Sequence, residues 1–202
     1  MNVVTTTPER PAPRPPAASA VSPNRAGSRV LALEKLSAGE LETVLLRGVT
    51  PDLERLVGWE LRGTNVPWWA RAAGIKKFIK GFARKGGEIR GYNCPVVQNR
   101  LDEPWIAKPD DANPKRFGFY QVAPVDPTSR DNAYLHAALL DYGKGGNAWW
   151  DPTAGLRDYL VQVDPHDPDL YLGKAYYKIG PGRIATNFFL LERHRPGPLE
   201  LP

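Results

Sequence analysis

The chain has 202 residues, 42% of them hydrophobic, which is enough for one domain with its own core, and its formal net charge is +5. Four arginines and one glutamate place +3 of that charge in the first 29 residues, so the nearly neutral remainder argues against nucleic acid as a partner. Cys94 is the only cysteine, which excludes an internal disulfide. No apolar run reaches the roughly 18 residues of a membrane span, and residues 1–8 do not resemble a secretory signal. We therefore expect a cytoplasmic protein without a transmembrane segment.

The N-terminal part divides into a tail and a helical segment. Residues 1–29 contain six prolines and little apolar periodicity, which predicts a disordered Pro-rich tail. Residues 30–55 are predicted to form a helical segment that packs on the main domain. Within it, Ser37 and Glu40 have the spacing of a capping box, and Gly48 is expected to end the helix.

Residues 56–194 read as a β domain, followed by a flexible C-terminal tail over residues 195–202. A short helix is predicted at 64–74. Gly- and Pro-rich turns separate eight predicted strands, at 57–63, 76–84, 88–97, 116–123, 134–142, 156–164, 170–177 and 185–193.

Sequential strands with short connections predict a mainly β fold, an eight-stranded antiparallel up-and-down barrel. A barrel of this size is either filled by side chains or holds one small ligand. Residues 75–85 leave an alternative open, because their apolar residues also fit a basic amphipathic helix. The inward and outward faces of most strands also stay open, since several strands are apolar on both faces.

Two stretches resemble a known family. The first is the Gly58-Trp59 strand that closes on Gly63; the second combines the Asp158-Tyr159 strand with the terminal run Phe188 to Arg193. Together they resemble a lipocalin-like, calycin-type domain of unknown function that is named for an N-terminal Gly-x-Trp-x-Gly motif. The resemblance implies a barrel with an apolar-ligand cavity, and it supplies no catalytic residues.

Trp59 and Arg193 are the structural residues that this reading singles out. In a closed barrel the first and last strands are neighbours, so both free edges become paired. We therefore expect strand 57–63 to pair with strand 185–193. Trp59 would then cover the barrel floor and Arg193 would stack on its indole as a cation–π pair.

Candidate ligand-binding residues are polar or aromatic side chains on strands that the barrel reading places around a cavity: Tyr134, His136, Tyr142, Lys174 and Tyr176. A barrel that binds a small apolar or amphipathic molecule is the leading hypothesis. The three histidines are too scattered for a local metal site, and we expect neither a metal nor a cofactor.

Two other function classes remain as alternatives. The first is an enzyme that acts on a small molecule in the barrel cavity, with His136 and Asp141 as weak catalytic candidates beside Tyr142 and Lys174. Asp141 has the opposite strand parity to His136, which argues against a direct pair. The second is an interaction module that uses basic segment 76–85 and the Pro-rich tail. The residues do not indicate an oligomeric state.

Overall fold

The computed structural model describes residues 23–66, 75–148, 150–180 and 182–202. Eight antiparallel strands form a closed barrel, in which each strand pairs with its sequence neighbours and the last pairs with the first. The predicted fold class is therefore confirmed. The strands are β1 (Trp59–Asn65), β2 (Lys77–Lys85), β3 (Glu88–Pro95), β4 (Phe117–Pro124), β5 (Ala138–Asp141), β6 (Leu156–Asp164), β7 (Asp167–Ile179) and β8 (Gly182–Pro196).

Two short helices precede the barrel, α1 (Ser28–Leu33) and α2 (Ala38–Arg47). The predicted capping box is present, because Ser37 Oγ accepts from the Glu40 amide while the Glu40 carboxylate accepts from the Ser37 amide at 2.8 Å. Gly48 follows the helix as its C-cap. Among the described residues, no helix is long and apolar enough to cross a membrane. Single 3₁₀ turns lie at Leu53–Arg55, Tyr142–Lys144 and Pro152–Gly155.

Residues 77–85 of this segment form strand β2, so the basic amphipathic-helix alternative for 75–85 is wrong. Gly86 and Gly87 form the two-residue turn between β2 and β3, with φ angles of +57° and +83°. Positive φ at both central positions matches the twist of a hairpin and favours glycine. The strand then buries residues on both faces, Phe82 inside the barrel and Ile79 on its outer wall, which a single apolar stripe of a helix does not allow.

Successive connections alternate between the two ends of the barrel. The mouth end is the end at which β1 leads into β2, β3 into β4, β5 into β6 and β7 into β8. The floor end is the opposite end, where Trp59 begins β1.

Closure of the barrel follows the predicted pairing of its first and last strands. Leu61 lies opposite Arg193 and Gly63 lies opposite Leu191 in the β1–β8 ladder. The Arg193 guanidinium carbon is 4.4 Å from the centroid of the Trp59 ring, which confirms the expected proximity. Trp59 is half-buried and packs against the interior core.

The apolar residues form two cores, one on each side of the barrel wall. The interior core holds inward-facing strand residues, among them Leu61, Phe82, Leu140, Leu160 and Leu191. The outer core lies between the wall and the segments that cover it, and it includes Leu41, Leu45, Trp105, Val161 and Leu172. Helix α2 covers the outer wall at β6 and β7.

Lys77 attaches the long β3–β4 connection to the outer wall. Its ammonium donates to three backbone carbonyls of that connection at 2.9–3.1 Å and to Asn99 Oδ1, and it lies 3.7 Å from the centroid of the Trp105 ring. Burial lowers the pKa of Lys77 to about 8. This lysine is therefore a structural anchor rather than part of an exposed basic surface.

Both terminal boundaries differ from the prediction. The Pro-rich tail was expected to extend to residue 29, and residues 1–22 lie outside the described residues. Residues 23–29 instead pack on the barrel: Ala26 is buried, and the Gly27 amide donates to Glu192 Oε2 at 3.0 Å. Asn24 exchanges two hydrogen bonds with the backbone of Trp105. These backbone contacts order a segment whose composition indicated disorder.

The C-terminal tail predicted for residues 195–202 is not free either. Arg195 belongs to β8 and forms an ion pair with Glu60 at 2.6 Å. Beyond it, the Arg84 amide donates to Leu199 O and the Leu201 amide donates to Arg84 O, both at 2.8 Å. The tail is attached because it continues the backbone hydrogen bonding of the barrel at the floor end.

The predicted helix at 64–74 and the predicted strand at 134–142 also differ from the structure where it describes them. Of the helix predicted for 64–74, Thr64 and Asn65 belong to β1, and residues 67–74 lie outside the described residues. The strand predicted for 134–142 is shorter, because residues 134–137 form an irregular segment before β5 and Tyr142 begins a 3₁₀ turn.

Candidate functional site

The barrel interior places charged side chains among apolar ones. In the strand ladders Leu61 lies opposite Lys80, and Leu140 lies opposite Asp158. Lys80 and Asp158 are buried and carry opposite charges. A buried charge is costly unless it is paired, so this pair is the part of the interior that calls for a functional explanation.

Lys80 lies at the centre of these polar groups and is only 3% exposed. Its ammonium is 3.0 Å from Asp158 Oδ2 and donates to Asn93 Oδ1 at 3.0 Å. It also donates to the hydroxyl of Tyr142. All three N–H donors of the lysine are therefore directed at oxygen atoms of the protein.

The remaining bonds join the four residues into one network, here called the polar quartet: Lys80, Asn93, Tyr142 and Asp158. The Tyr142 hydroxyl donates to Asp158 Oδ2 at 3.1 Å, and the Asn93 amide donates to Gly118 O at 2.8 Å and to the Tyr142 hydroxyl at 3.3 Å. The quartet contains one cation and one anion, so it is electrically neutral as a unit.

Aromatic rings surround the Lys80 ammonium. The ring centroids lie 4.7 Å away for Tyr120, 5.0 Å for Tyr142, 5.3 Å for Phe189 and 5.8 Å for Phe78. Distances of this size permit cation–π attraction, which adds to the ion pair with Asp158. The site therefore offers apolar ring faces directly beside hydrogen-bonding groups.

Burial controls the protonation of the quartet. It lowers the pKa of Lys80, an effect that the Asp158 carboxylate opposes. It also raises the pKa of Tyr142 well above its usual range, and the negative charge of Asp158 raises it further. Tyr142 is therefore a neutral hydroxyl, able to donate one hydrogen bond and accept others, at every physiological pH.

A second polar pair faces the interior at the mouth. The Asn187 side-chain amide donates to Asn65 Oδ1 at 2.7 Å. Asn65 ends β1, and Asn187 lies opposite Ala175 in the β7–β8 ladder. The interior therefore holds two groups of polar side chains, the quartet and this pair of amides.

Rings already occupy much of the interior. A Cβ atom added to Gly63 would lie 2.3 Å from the Phe78 ring, and one added to Gly173 would lie 2.1 Å from the Phe189 ring. Both glycines are therefore needed where these rings press against the wall. Any molecule that enters the barrel has to be small, or it has to move these rings.

Four of the five predicted ligand-binding residues lie outside the barrel wall, under α2. Lys174 forms an ion pair with Glu42 of α2 at 2.6 Å and donates to the Tyr134 hydroxyl at 2.9 Å. The hydroxyls of Tyr134 and Tyr176 are 3.0 Å apart, and His136 Nε2 is 3.0 Å from Leu45 O. Burial opposes the charge of Lys174, but its hydrogen bonds to Glu42 and Tyr134 outweigh burial and raise its pKa.

Tyr142 alone among these five residues reaches the interior. The enzyme alternative requires His136, Asp141, Tyr142 and Lys174 to share one pocket, but these side chains lie on different sides of the wall. Asp141 forms an ion pair with Arg157 at 3.1 Å rather than a pair with His136. The enzyme hypothesis loses the geometry it required.

Buried lysines also correct the expected basic surface. Lys77 and Lys80 of segment 76–85 are both buried, so a continuous basic face is not present there. Lys80, Asn93 and Asp158 were not among the predicted site residues. The sequence did contain a signal for two of them: Phe78, Lys80 and Phe82 alternate at the strand period, and Asp158 lies between Leu156 and Leu160 in the same way.

No protein-family model matches this chain, and no curated protein matches it. The quartet and the barrel that carries it are therefore the observations on which a function has to rest.

Proposed function

We propose that the barrel binds a small amphipathic molecule, whose polar group replaces or joins the hydrogen bonds of the polar quartet. The observation that carries this proposal is the burial of the Lys80–Asp158 ion pair inside the barrel. Phe78, Tyr120 and Phe189 supply apolar ring faces for the rest of the molecule.

A contribution to stability does not by itself explain why the quartet is present. Removing two charges from water costs several kcal/mol per ion, and replacing a buried ion pair by apolar residues of similar volume is often neutral or stabilising. Perturbed ionisable groups in a concave interior are candidates for a functional site. A ligand-recognition role accounts for the polar groups.

The charge of the quartet points to the class of polar group. Lys80 already has an anionic partner in Asp158, so a ligand carboxylate would add an unbalanced negative charge to a buried site. A neutral carbonyl or hydroxyl oxygen avoids that penalty, and it can accept from the Lys80 ammonium or the Asn93 amide. The packed interior restricts the apolar part to a short chain or a single ring.

We also propose a distant relationship to the lipocalin-like domains that the sequence resembles. Support comes from the closed eight-stranded barrel and from the contact between Trp59 and Arg193 at its floor. The ligand-binding proposal does not depend on this relationship, because it rests on the quartet.

Native mass spectrometry of the full chain, purified from its own host, tests the proposal. We expect a retained small molecule on the wild type and its loss from the Lys80→Met/Asp158→Leu variant. The matched control is Glu42→Gln/Lys174→Met, which removes the ion pair on the outer wall and should keep the molecule.

Calorimetric titration with a short alkanol and with the alkanoate of the same chain length tests the polar group. We expect the alkanol to bind more tightly, and we expect the quartet variant to lose that preference. If the wild type carries no molecule and binds neither compound, the proposal is wrong. Tighter binding of the alkanoate would overturn the neutral-oxygen assignment and leave the binding role in place.

A further inference from the structure

The two ends of the barrel expose different kinds of side chain. At the mouth end, Ile75, Trp150, Ile179 and Ile184 each leave more than half of their surface exposed, and Phe117 leaves over a third exposed. These residues belong to or adjoin all four mouth-end connections, and Val97 in the β3–β4 connection is also over a third exposed. A cluster of apolar tips at one end of a protein indicates a contact surface.

The floor-end connections of the described chain are more polar. The β2–β3 turn is Gly86-Gly87, and the β6–β7 turn is formed by Pro165 and His166. The β4–β5 connection exposes one large apolar residue, Leu135, and the C-terminal segment exposes Leu199. The apolar exposure is therefore concentrated at the mouth.

The β7–β8 hairpin extends beyond its two neighbouring strands at that end. Leu156 begins β6 opposite Tyr177, so Lys178 and Ile179 extend beyond the last β6 partner. Asn65 ends β1 opposite Phe189, so β8 also extends beyond its β1 partner. In the strand ladders the projecting residues pair with one another across the hairpin, and the Arg183 guanidinium donates to the Tyr159 hydroxyl at 3.1 Å.

The projecting hairpin has an apolar face and a basic face. Ile184 lies opposite Tyr177 and shares the face of Ile179, whereas Lys178 and Arg183 lie opposite each other on the other face. Side chains of alternate residues in a strand point to opposite sides, so the two faces are distinct. Two exposed isoleucines beside two cations match the chemistry of a negatively charged interface.

The same pairing of apolar and basic residues recurs around the mouth. Lys76 follows Ile75, and Arg116 precedes Phe117. Asp151 follows Trp150, but its carboxylate is engaged in capping its own turn through Thr153. Lys178 has only a distant anionic neighbour, with Asp131 Oδ2 at 4.0 Å.

We propose that the mouth end of the barrel docks on an anionic lipid bilayer. The isoleucines enter the boundary between headgroups and acyl chains, while the neighbouring lysines and arginines contact lipid phosphates. The docking proposal does not depend on the ligand of the proposed function. If both hold, docking places the mouth end of the barrel directly against the phase in which an amphipathic molecule is concentrated.

Vesicle flotation of the full chain without added ligand tests the docking surface. Phosphatidylcholine vesicles are compared with vesicles of phosphatidylcholine mixed with phosphatidylglycerol, at low and at physiological salt. We expect binding to the anionic vesicles that weakens with salt. Ile179→Asp/Ile184→Asp should lower vesicle affinity at least tenfold, because two apolar side chains no longer enter the bilayer.

Leu46→Asp/Leu199→Asp is the matched control, since it changes two leucines that are equally exposed but lie on α2 and at the floor end. It should bind vesicles like the wild type, and circular dichroism checks that both variants fold. Equal loss in both variants, or no binding of the wild type to either vesicle, overturns the proposal. A dimer of the wild type that dissociates in the isoleucine variant, without vesicle binding, would identify a second copy of the chain as the partner instead. Ligand binding measured without vesicles is a separate readout, so failure of one proposal does not imply failure of the other.

Discussion

Arg193 of the last strand covers the indole of Trp59 at the start of the first strand, with 4.4 Å between the guanidinium carbon and the ring centroid. The same arginine also pairs with Asp169 across the β7–β8 hairpin. One side chain therefore connects three strands at the floor of the barrel.

Trp59→Ala should lower the free energy of unfolding by about 2–3 kcal/mol, less than the loss for a fully buried tryptophan because Trp59 is half-buried. A double-mutant cycle with Arg193→Lys should give a coupling energy of about 0.5–1 kcal/mol. The lysine keeps a charge near Asp169 and removes the planar stacking group. Urea unfolding measures all four proteins, and a loss below about 1 kcal/mol for Trp59→Ala would mean that the indole does not stabilise the floor.

Lys80→Met should destabilise the protein by about 3–5 kcal/mol, because it leaves Asp158 buried without its cation. The double variant Lys80→Met/Asp158→Leu should recover most of that loss, since it removes both charges. Equilibrium unfolding in urea measures the difference. On the outer wall, Lys174→Met is the control and should cost at most about 1 kcal/mol, because its partner Glu42 keeps contact with solvent. If the double variant is as unstable as the single one, the quartet is part of the stabilising core and the functional argument weakens.

His194 should make the protein less stable as the pH falls from about 6.5 to about 4. Its ring is buried without a hydrogen-bond partner, and burial, with the charges of Arg195 and Arg62, lowers its pKa to about 4, against the opposing effect of Asp111. Between these values the unfolded chain binds a proton that the folded chain does not, so stability drops with a slope of up to about 1.4 kcal/mol per pH unit.

The difference between wild type and His194→Met isolates this contribution from the carboxylates that titrate in the same range. The variant should show a shallower loss of stability between pH 6.5 and pH 4 in urea titrations. His166→Asn serves as the control, because His166 lies in an exposed turn. An identical pH dependence for wild type and His194→Met would show that the His194 ring is hydrated or paired in solution.

Residues 23–29 should stabilise the barrel. A chain that begins at residue 30 loses the Asn24–Trp105 bonds, the Gly27–Glu192 bond and the carbonyl of Pro23 that accepts from Arg62. We expect its thermal midpoint to lie several degrees below that of a chain beginning at residue 23, as for a loss of about 1–2 kcal/mol. Both chains lack residues 1–22, so the comparison reports only on 23–29. Equal midpoints would mean that these contacts contribute nothing to stability.

The barrel was predictable because its local signals agree with its pairing. The Gly86-Gly87 turn, the Pro-rich turn after Asp164 and the alternating strands all indicate hairpins, and counting them leaves β1 and β8 to pair. The terminal boundaries were not predictable in the same way. Residues 23–29 and 197–202 are held by hydrogen bonds to distant residues, which composition does not report.

The site was predictable only in part, because its residues depend on which face of each strand points inward. Tyr134 and Lys174 have the polarity expected of a cavity, but α2 covers that part of the outer wall and supplies Glu42 as their partner. Where a helix packs on the outside of a barrel depends on tertiary contacts, which local sequence patterns do not show. Lys80, in contrast, was concealed within a run of basic residues, and only its alternation with Phe78 and Phe82 distinguished it from the surface lysines.

The pairing of β1 with β8 also has a kinetic consequence. Residues of β1 find partners roughly 130 positions further along the chain, such as Leu61 with Arg193 and Gly63 with Leu191. Contacts of such long range require a large loss of chain entropy before they form, which slows folding. Until they form, the unpaired edges of β1 and β8 are free to pair with another chain. The yield of refolded protein should therefore depend more on the protein concentration during refolding than on the stability of the folded state. Dilution lowers the rate at which unpaired edges of two chains meet.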